Sequence, residues 1–159
     1  MSSTNPIQRI NKTQNFLLIK GKTRLVPVKL TASVAVEDGS VLYPDPGNAG
    51  QYTKWDATAG GKFVIIRRTV ATTDDDFASV KEVLVEEPME ASVEFEFTVT
   101  WTFTAAAVGT YVDLSDEKTV NVDASAKKVV FITGFINSTR GRGSFAGNVS
   151  AWTAMPVTS

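Results

Sequence analysis

Three adjacent carboxylates are the densest group of potentially reactive side chains in the sequence. Asp74, Asp75 and Asp76 follow one another in TTDDD, and Ca²⁺ and Mg²⁺ prefer such oxygen ligands. Consecutive side chains do not all point the same way, however, and the D-x-D-x-D-G spacing of a calcium loop is missing. We therefore interpret the segment as a turn followed by a strand and expect no metal-binding residues in it.

Glu94 and Glu96 form a second candidate group. On one face of a strand they would lie about 7 Å apart, within the range of paired glycosidase carboxylates, but any strand with two alternating glutamates has this spacing. The sequence has no histidine and no cysteine, which excludes the usual base near neutral pH, thiolate nucleophiles and the common zinc ligands. We expect no catalytic residues and no cofactor, and hence that the protein is not an enzyme.

Two other segments could contact a partner. GRGSFAG lacks the spacing of a phosphate-binding loop, and we interpret it as a turn whose Arg140 and Arg142 could contact a carboxylate. Tyr43, Tyr52 and Trp55 surround the loop of residues 44–61 and could stack on a sugar. Aromatic residues in loops more often anchor the loop or fill an interface, and both readings stay open.

The first part of the chain is basic and polar. Arg9, Lys12, Lys20 and Lys22 lack the density and interleaved aromatic residues of a nucleic-acid binder, so we expect no nucleic-acid partner. The apolar run from residue 16 to 19 is far too short to span a membrane. We expect that the protein does not associate with a membrane and that it is made in the cytoplasm.

Most of the chain has the alternating or β-branched pattern of short strands joined by turns, and helix is nearly absent. The pattern predicts an all-β fold, a compact barrel or sandwich-like body. We place an N-terminal arm at residues 1–22, which we expect to be flexible, and the body at 23–159, with a division into lobes 23–90 and 91–159 left open. No internal repeat at a fixed period is evident.

The segment VEFEFTVTWTFT, residues 93–104, has the longest alternating pattern. Twelve residues of strand would run about 40 Å, roughly twice the usual length. Either the chain bends here, or the apolar stripe extends beyond its own core into a contact between subunits. We predict the contact, with these candidate interface residues: Val93, Phe95, Phe97, Val99, Trp101 and Phe103.

The segment from Leu30 to Pro88, which includes VAVEDGSVLY and KFVIIRRTVATTDDDFAS, resembles the capsid decoration (cement, head-stabilising) proteins of tailed bacteriophages. A second, weaker similarity to the same proteins lies in DLSDEKTVNVDAS and VFITGFINSTRGRGSF. The resemblance implies a small β-rich protein without catalytic residues. It also implies a homotrimer on the capsid exterior of the virion, where it clamps neighbouring subunits of the major capsid protein.

With such a partner, the N-terminal arm becomes the candidate capsid-binding segment. NFLLIK could add as a strand to an exposed sheet edge, and the basic residues could attract an acidic shell. The candidate residues are Arg9, Lys12, Phe16, Leu17, Leu18, Ile19, Lys20 and Lys22. The alternative function is a carbohydrate- or receptor-binding β-module of a phage tail or fibre, which would use Tyr43, Tyr52 and Trp55.

Overall fold

The computed structural model describes residues 15–56, 62–90, 92–100 and 102–146. In these segments the protein has eleven strands and a single 3-10 turn, Ala105–Ala107. The predicted all-β fold is confirmed. No helix in the described segments is long and apolar enough to cross a membrane.

The first unit is a closed five-stranded barrel with strand order β2-β4-β3-β5-β6. β2 pairs with β4 in parallel, and all other pairs are antiparallel. Its strands are β2 (Thr23–Leu30), β3 (Val41–Pro44), β4 (Gln51–Lys54), β5 (Val64–Ile66) and β6 (Lys81–Pro88).

Aliphatic side chains fill the interior of this barrel. Alternate residues of a strand face opposite sides of the sheet, so Leu42 and Val64 point inward while Val41 and Ile65 point outward. The buried interior residues are Leu30, Val36, Leu42, Val64, Ile66, Val70, Val83 and Val85.

The second unit is a sheet of order β1-β7-β11-β10-β8-β9, in which β9 also pairs in parallel with β7. The pairings therefore connect β7 to β11 in a ring of five strands, with β1 added beside β7. The strands are β1 (Leu17–Lys20), β7 (Glu94–Thr100), β8 (Tyr111–Leu114), β9 (Thr119–Asn121), β10 (Val130–Asn137) and β11 (Arg140–Phe145).

The two units have the same connectivity. In each, the first strand pairs in parallel with the third and antiparallel with the fifth, the second pairs with the third and fourth, and the fourth pairs with the fifth. The sequence has a short trace of this repeat, DATA at 56–59 and DASA at 123–126, each ahead of the fourth strand. The predicted division between residues 90 and 91 falls between β6 and β7.

A second, larger apolar core joins the units. Val41, Phe63 and Ile65 of the barrel pack in one cluster with the inward residues of the ring. The backbone N–H of Val41 donates to the carbonyl of Glu117 at 2.8 Å, and Lys118 forms an ion pair with Glu37 at 3.0 Å. The outer face of β3 and β5 is therefore covered by the second unit.

The apolar stripe belongs to this core. β7 ends at Thr100, so the strand is shorter than the pattern predicted. Side chains packed inside one chain cannot also form a contact between chains, so these residues do not provide the predicted subunit interface. Trp101 lies outside the described residues. The stripe residues that are at most 4% exposed are Val93, Phe95, Phe97, Val99 and Phe103.

The predicted boundary of the N-terminal arm also needs correction. Phe16 is 1% exposed, and its ring lies 5.3 Å from that of Phe145 and 5.4 Å from that of Phe97. β1 pairs with β7 of its own chain, with Leu18 opposite Phe95. The strand expected to add to a capsid subunit therefore completes the protein's own sheet, and the body begins by residue 16.

The GRG segment, predicted to be a turn, lies in β11. Only Ser138 and Thr139 separate β10 from β11. A Cβ atom on Gly141 would lie 2.8 Å from Cζ of Phe103, and one on Gly143 would lie 2.3 Å from the carbonyl oxygen of Phe131. These glycines let aromatic rings and the neighbouring backbone approach the strand closely, which a turn interpretation could not reveal.

Candidate functional site

The segment around the three aspartates forms turns and is followed by β6, as predicted. The carboxylate of Asp74 accepts a hydrogen bond from the backbone N–H of Ala71 at 3.0 Å, and Asp76 lies 3.7 Å from the guanidinium of Arg68. Within the described segments, no group of three or more acidic side chains could hold a metal ion.

Glu94 and Glu96 pair with basic residues of the same sheet. Glu94 lies 3.6 Å from Nζ of Lys20, while the guanidinium of Arg140 donates to Glu96 at 2.9 Å and to the Thr98 hydroxyl at 2.8 Å. Arg140, which could have contacted a carboxylate on a partner, therefore binds one within its own chain. These contacts fix the outer surface of β7.

A cleft of about 730 Å³ lies between the barrel and the ring. We call it the interunit cleft. Acidic residues outnumber basic ones in its lining, which also includes two of the predicted aromatic residues. The lining consists of Tyr43, Asp45, Pro46, Thr53, Lys54, Trp55, Asp56, Asp113, Leu114, Ser115, Asp116, Glu117 and Lys127.

Three of the cleft's carboxylates hold turns in place. Asp113 accepts hydrogen bonds from the backbone N–H groups of Lys127 and Lys128 at 2.9 and 2.7 Å. Asp116 caps its own turn by accepting from two backbone N–H groups. Hydrogen bonds from Thr31, Asn48 and the backbone of Gly47 lower the pKa of Asp45. These interactions favour a structural role for the acidic lining.

The aromatic residues do not form one platform. Trp55 is 6% exposed and belongs to the larger core. Tyr43 packs against that core, whereas Tyr52 packs against the barrel interior. Burial raises the pKa of Tyr43, assisted by the nearby charges of Asp56 and Asp45. The packing of Trp55 and Tyr52 fits the interpretation that the aromatic residues anchor the loop of residues 44–61. Of the three, Tyr43 and Trp55 line the interunit cleft and Tyr52 does not.

The capsid-binding candidates are divided by the structure. Arg9 and Lys12 lie outside the described residues, and Phe16 is in the core. Leu17 and Leu18 are half-buried, and Ile19, Lys20 and Lys22 are exposed. Lys20 pairs with Glu94, and the backbone N–H of Lys22 donates to Glu90 at 3.0 Å. The described candidates therefore form a strand and turn of the body.

Sequence analysis missed an exposed apolar surface on β2 and β6, which we call the free face. Its outward side chains are Leu25, Pro27 and Lys29 from β2 and Glu82, Leu84 and Glu86 from β6. Glu86, opposite Leu25, is covered by its hydrogen bonds with Thr23 and Arg67. Leu25 is 61% exposed and Leu84 is 47% exposed. The sequence RLVPVKL indicates this surface, since it has apolar residues on both faces of the strand.

The ion pair of Glu87 with Arg24 and Lys62 gives a test at low pH. Burial acts to raise the pKa of Glu87, but hydrogen bonds from Lys62 and Arg24 outweigh it and hold the pKa below its ordinary value of 4.5. A carboxyl group with a lowered folded-state pKa stabilises the fold above its unfolded pKa and loses this contribution as the pH falls through the folded-state pKa.

Glu87→Gln should therefore lower the free energy of unfolding at pH 7 by about 1–2 kcal/mol. The difference from the wild type should narrow below about pH 4, as measured by urea unfolding at pH 7 and pH 3. Glu82→Gln is the matched control, since Glu82 is exposed on the same strand, and should change stability by less than about 0.5 kcal/mol. An equal effect of Glu87→Gln at both pH values would contradict this prediction.

A scan against protein-family models finds no match, and no curated protein shows significant sequence similarity to the chain. The part of the chain that the structure describes is all-β and consists of two units that each contain five strands with the same connectivity, with β1 added to the second unit. A functional assignment has to start from these surfaces and from the sequence of the first unit.

Proposed function

We propose that this is a structural virion protein without enzymatic activity. It binds the outside of an assembled phage capsid and stabilises contacts between subunits of the major capsid protein. The observation that carries the proposal is the resemblance of the segment from Leu30 to Pro88 to capsid decoration proteins. This segment supplies four of the five strands of the first barrel and the end of the remaining one.

The arrangement of charged groups supports a structural role. Within the chain, Lys20 pairs with Glu94 and Arg140 pairs with Glu96. The carboxylate of Asp113 accepts a hydrogen bond from the backbone N–H of Lys127. The larger core, the hydrogen bond from Val41 to Glu117 and the Lys118–Glu37 ion pair join the two units into one body that could act as a clamp. The homotrimer implied by the resemblance is part of the proposal and would have to use exposed residues instead of the buried stripe.

Co-sedimentation with capsids assembled without the protein tests binding directly. We expect saturable binding to mature shells and none to unassembled capsid subunits, because the proposed site forms only where subunits meet. Heat-unfolded protein removed from aggregates is the negative control. Failure of the folded protein to sediment with shells at any concentration would refute the proposed function.

The N-terminal residues provide a sharper test when the deletion ends before Phe16. Residues 1–14 are polar and include Arg9 and Lys12, whereas Phe16 and β1 belong to the body. Deleting residues 1–14 should weaken shell binding at least tenfold, about 1.4 kcal/mol, with little change in melting temperature. Arg9→Gln with Lys12→Gln is the charge control, and added salt should weaken the wild type more than this variant. Unchanged binding by the deletion variant would show that the attachment surface lies on the body.

Carbohydrate or receptor binding remains a second candidate, because Tyr43 and Trp55 both line the interunit cleft. Aromatic faces beside carboxylates are suited to sugar rings and their hydroxyl groups. A glycan array should show specific binding that Tyr43→Ala abolishes if this function is correct. Retention on glycans without binding to shells would favour this candidate over capsid stabilisation.

A further inference from the structure

The free face lies on the side of the barrel away from the second unit. In the ring β2-β4-β3-β5-β6, β2 is opposite β3 and β5, whose outer surface is covered by the larger core. Leu25 and Leu84 point outward there, with Pro27 between them, and Val80 just before β6 is 45% exposed. Adjacent exposed aliphatic residues on a regular sheet usually indicate a contact with another molecule.

The equivalent surface of the second unit is charged. β7 and β11 take the places of β2 and β6 in the repeated connectivity. Their outward residues include Glu96, opposite Arg142, and Thr98, opposite Arg140, with the Arg140–Glu96 ion pair across the strands. The outward surfaces of the two corresponding strand pairs therefore differ. The surface of β7 and β11 is polar at these positions, whereas that of β2 and β6 includes the exposed apolar residues.

Two charges border the apolar part of the free face. Lys29 and Glu82 are directly opposite each other on neighbouring strands, and both are exposed. Neither makes an ion pair with any residue in the portion of the chain that the structure describes. Each is free to pair with an opposite charge on a molecule that covers Leu25 and Leu84.

We propose that the free face binds the free face of a second copy of this chain. A two-fold axis parallel to the strands, running between β2 and β6, places each β2 over the β6 of the other copy. Lys29 of one copy then faces Glu82 of the second copy, and the reverse pair forms at the same time. Pro27 faces Leu84 in the same way, so an apolar contact lies beside the two ion pairs. Leu25 faces Glu86, whose carboxylate already accepts hydrogen bonds from Thr23 and Arg67 of its own chain.

Such a contact is reciprocal and closes a pair. Sheets that pack face to face lie about 10 Å apart, which brings side chains from both surfaces into contact. The two ion pairs also oppose the alternative axis perpendicular to the strands, which would bring unlike ends of the face together. The proposal concerns the free protein and does not depend on capsid binding. It predicts dimers in solution, whereas the trimer implied for the shell would need another surface.

Sedimentation velocity over a hundredfold range of protein concentration tests the contact. The wild type should change from monomer to dimer as the concentration rises, and Leu84→Lys, which places a charge against Pro27 of the second copy, should raise the dimer dissociation constant at least tenfold. Because Leu84 is 47% exposed, the variant should unfold at the same urea concentration as the wild type. Ile136→Lys, at an exposed apolar position at the end of β10 in the other unit, should leave the dissociation constant unchanged.

Charge reversal tests the geometry. Lys29→Glu should weaken the dimer, because it places like charges opposite each other in two places, and Glu82→Lys in the same chain should restore it. A wild type that stays monomeric at every concentration would overturn the proposal. The free face would then be covered by another segment or another partner. A trimer, or a dimer affected equally by Leu84→Lys and Ile136→Lys, would also overturn the proposal. So would failure of the double reversal to restore association.

Discussion

Replacing Phe16 with alanine is expected to lower the free energy of unfolding by about 3–5 kcal/mol, the usual cost of removing a buried aromatic side chain. The Phe16 ring lies within 6.4 Å of the rings of Phe95, Phe97 and Phe145, and the side chain is 1% exposed. Its loss would leave a cavity at the centre of the core that joins the units. Urea unfolding followed by tryptophan fluorescence measures the effect.

Ile19→Ala provides the matched control for this prediction. Ile19 lies three residues further along, in β1, but its side chain is 39% exposed. We expect its replacement to cost less than about 1 kcal/mol. If Phe16→Ala were no more destabilising than Ile19→Ala, the N-terminal segment would not belong to the folded body, and the original boundary of the arm at residue 22 would be correct.

Gly143→Ala is expected to destabilise the protein by about 2–3 kcal/mol, although it adds only one methyl group. The new Cβ would lie 2.3 Å from the carbonyl oxygen of Phe131 in β10 and 3.1 Å from Cζ of Phe97. The first of these atoms is backbone and cannot move aside as a side chain could. β10 and β11 would have to separate locally, which weakens the pairing between Gly143 and Ile132.

Gly47→Ala is the control for the glycine variant. A Cβ at Gly47 would have a single near neighbour, the Asp45 Oδ1 atom at 3.6 Å, which is an ordinary van der Waals distance. This substitution should change the free energy of unfolding by less than about 0.5 kcal/mol. Equal stability of the two variants would mean that β11 does not pack against β10 and Phe97 as described.

The strands could be predicted because their side chains alternate. YVDL became β8, VKEVLVEEP contains β6, and the TTDDD segment forms turns as expected. Boundaries were less accurate where glycine is part of a strand. GRG looks like a turn in sequence, but Gly141 and Gly143 lie in β11 because aromatic residues from distant segments pack closely on them.

Alternation indicates that one face of a strand is buried, but it does not identify what covers that face. The stripe from Val93 to Phe103 has the pattern of either a core or an interface. It became core because the barrel contributes Phe63 and Ile65 and the N-terminal segment contributes Phe16, three contacts between residues far apart in sequence. The same limitation hid the free face, where the apolar residues of β2 point outward.

The repeated connectivity of the two units could not be predicted from the sequence either. Three of the four loops between corresponding strands differ in length, so no fixed period survives, and the similarity between DATA and DASA is short. β5 has three residues whereas the equivalent β10 has eight. Strand pairing depends on which backbones meet in space, and sequences with little in common can satisfy it.

Capsid stability is the most direct test of the proposed function. Shells assembled without the protein would be filled with DNA and heated with a DNA-binding dye, before and after saturation with the purified protein. The proposal predicts that saturation raises the temperature of DNA release, and that the rise follows the fraction of sites occupied. An unchanged release temperature on shells shown to be saturated would contradict the claim that the protein stabilises contacts between capsid subunits.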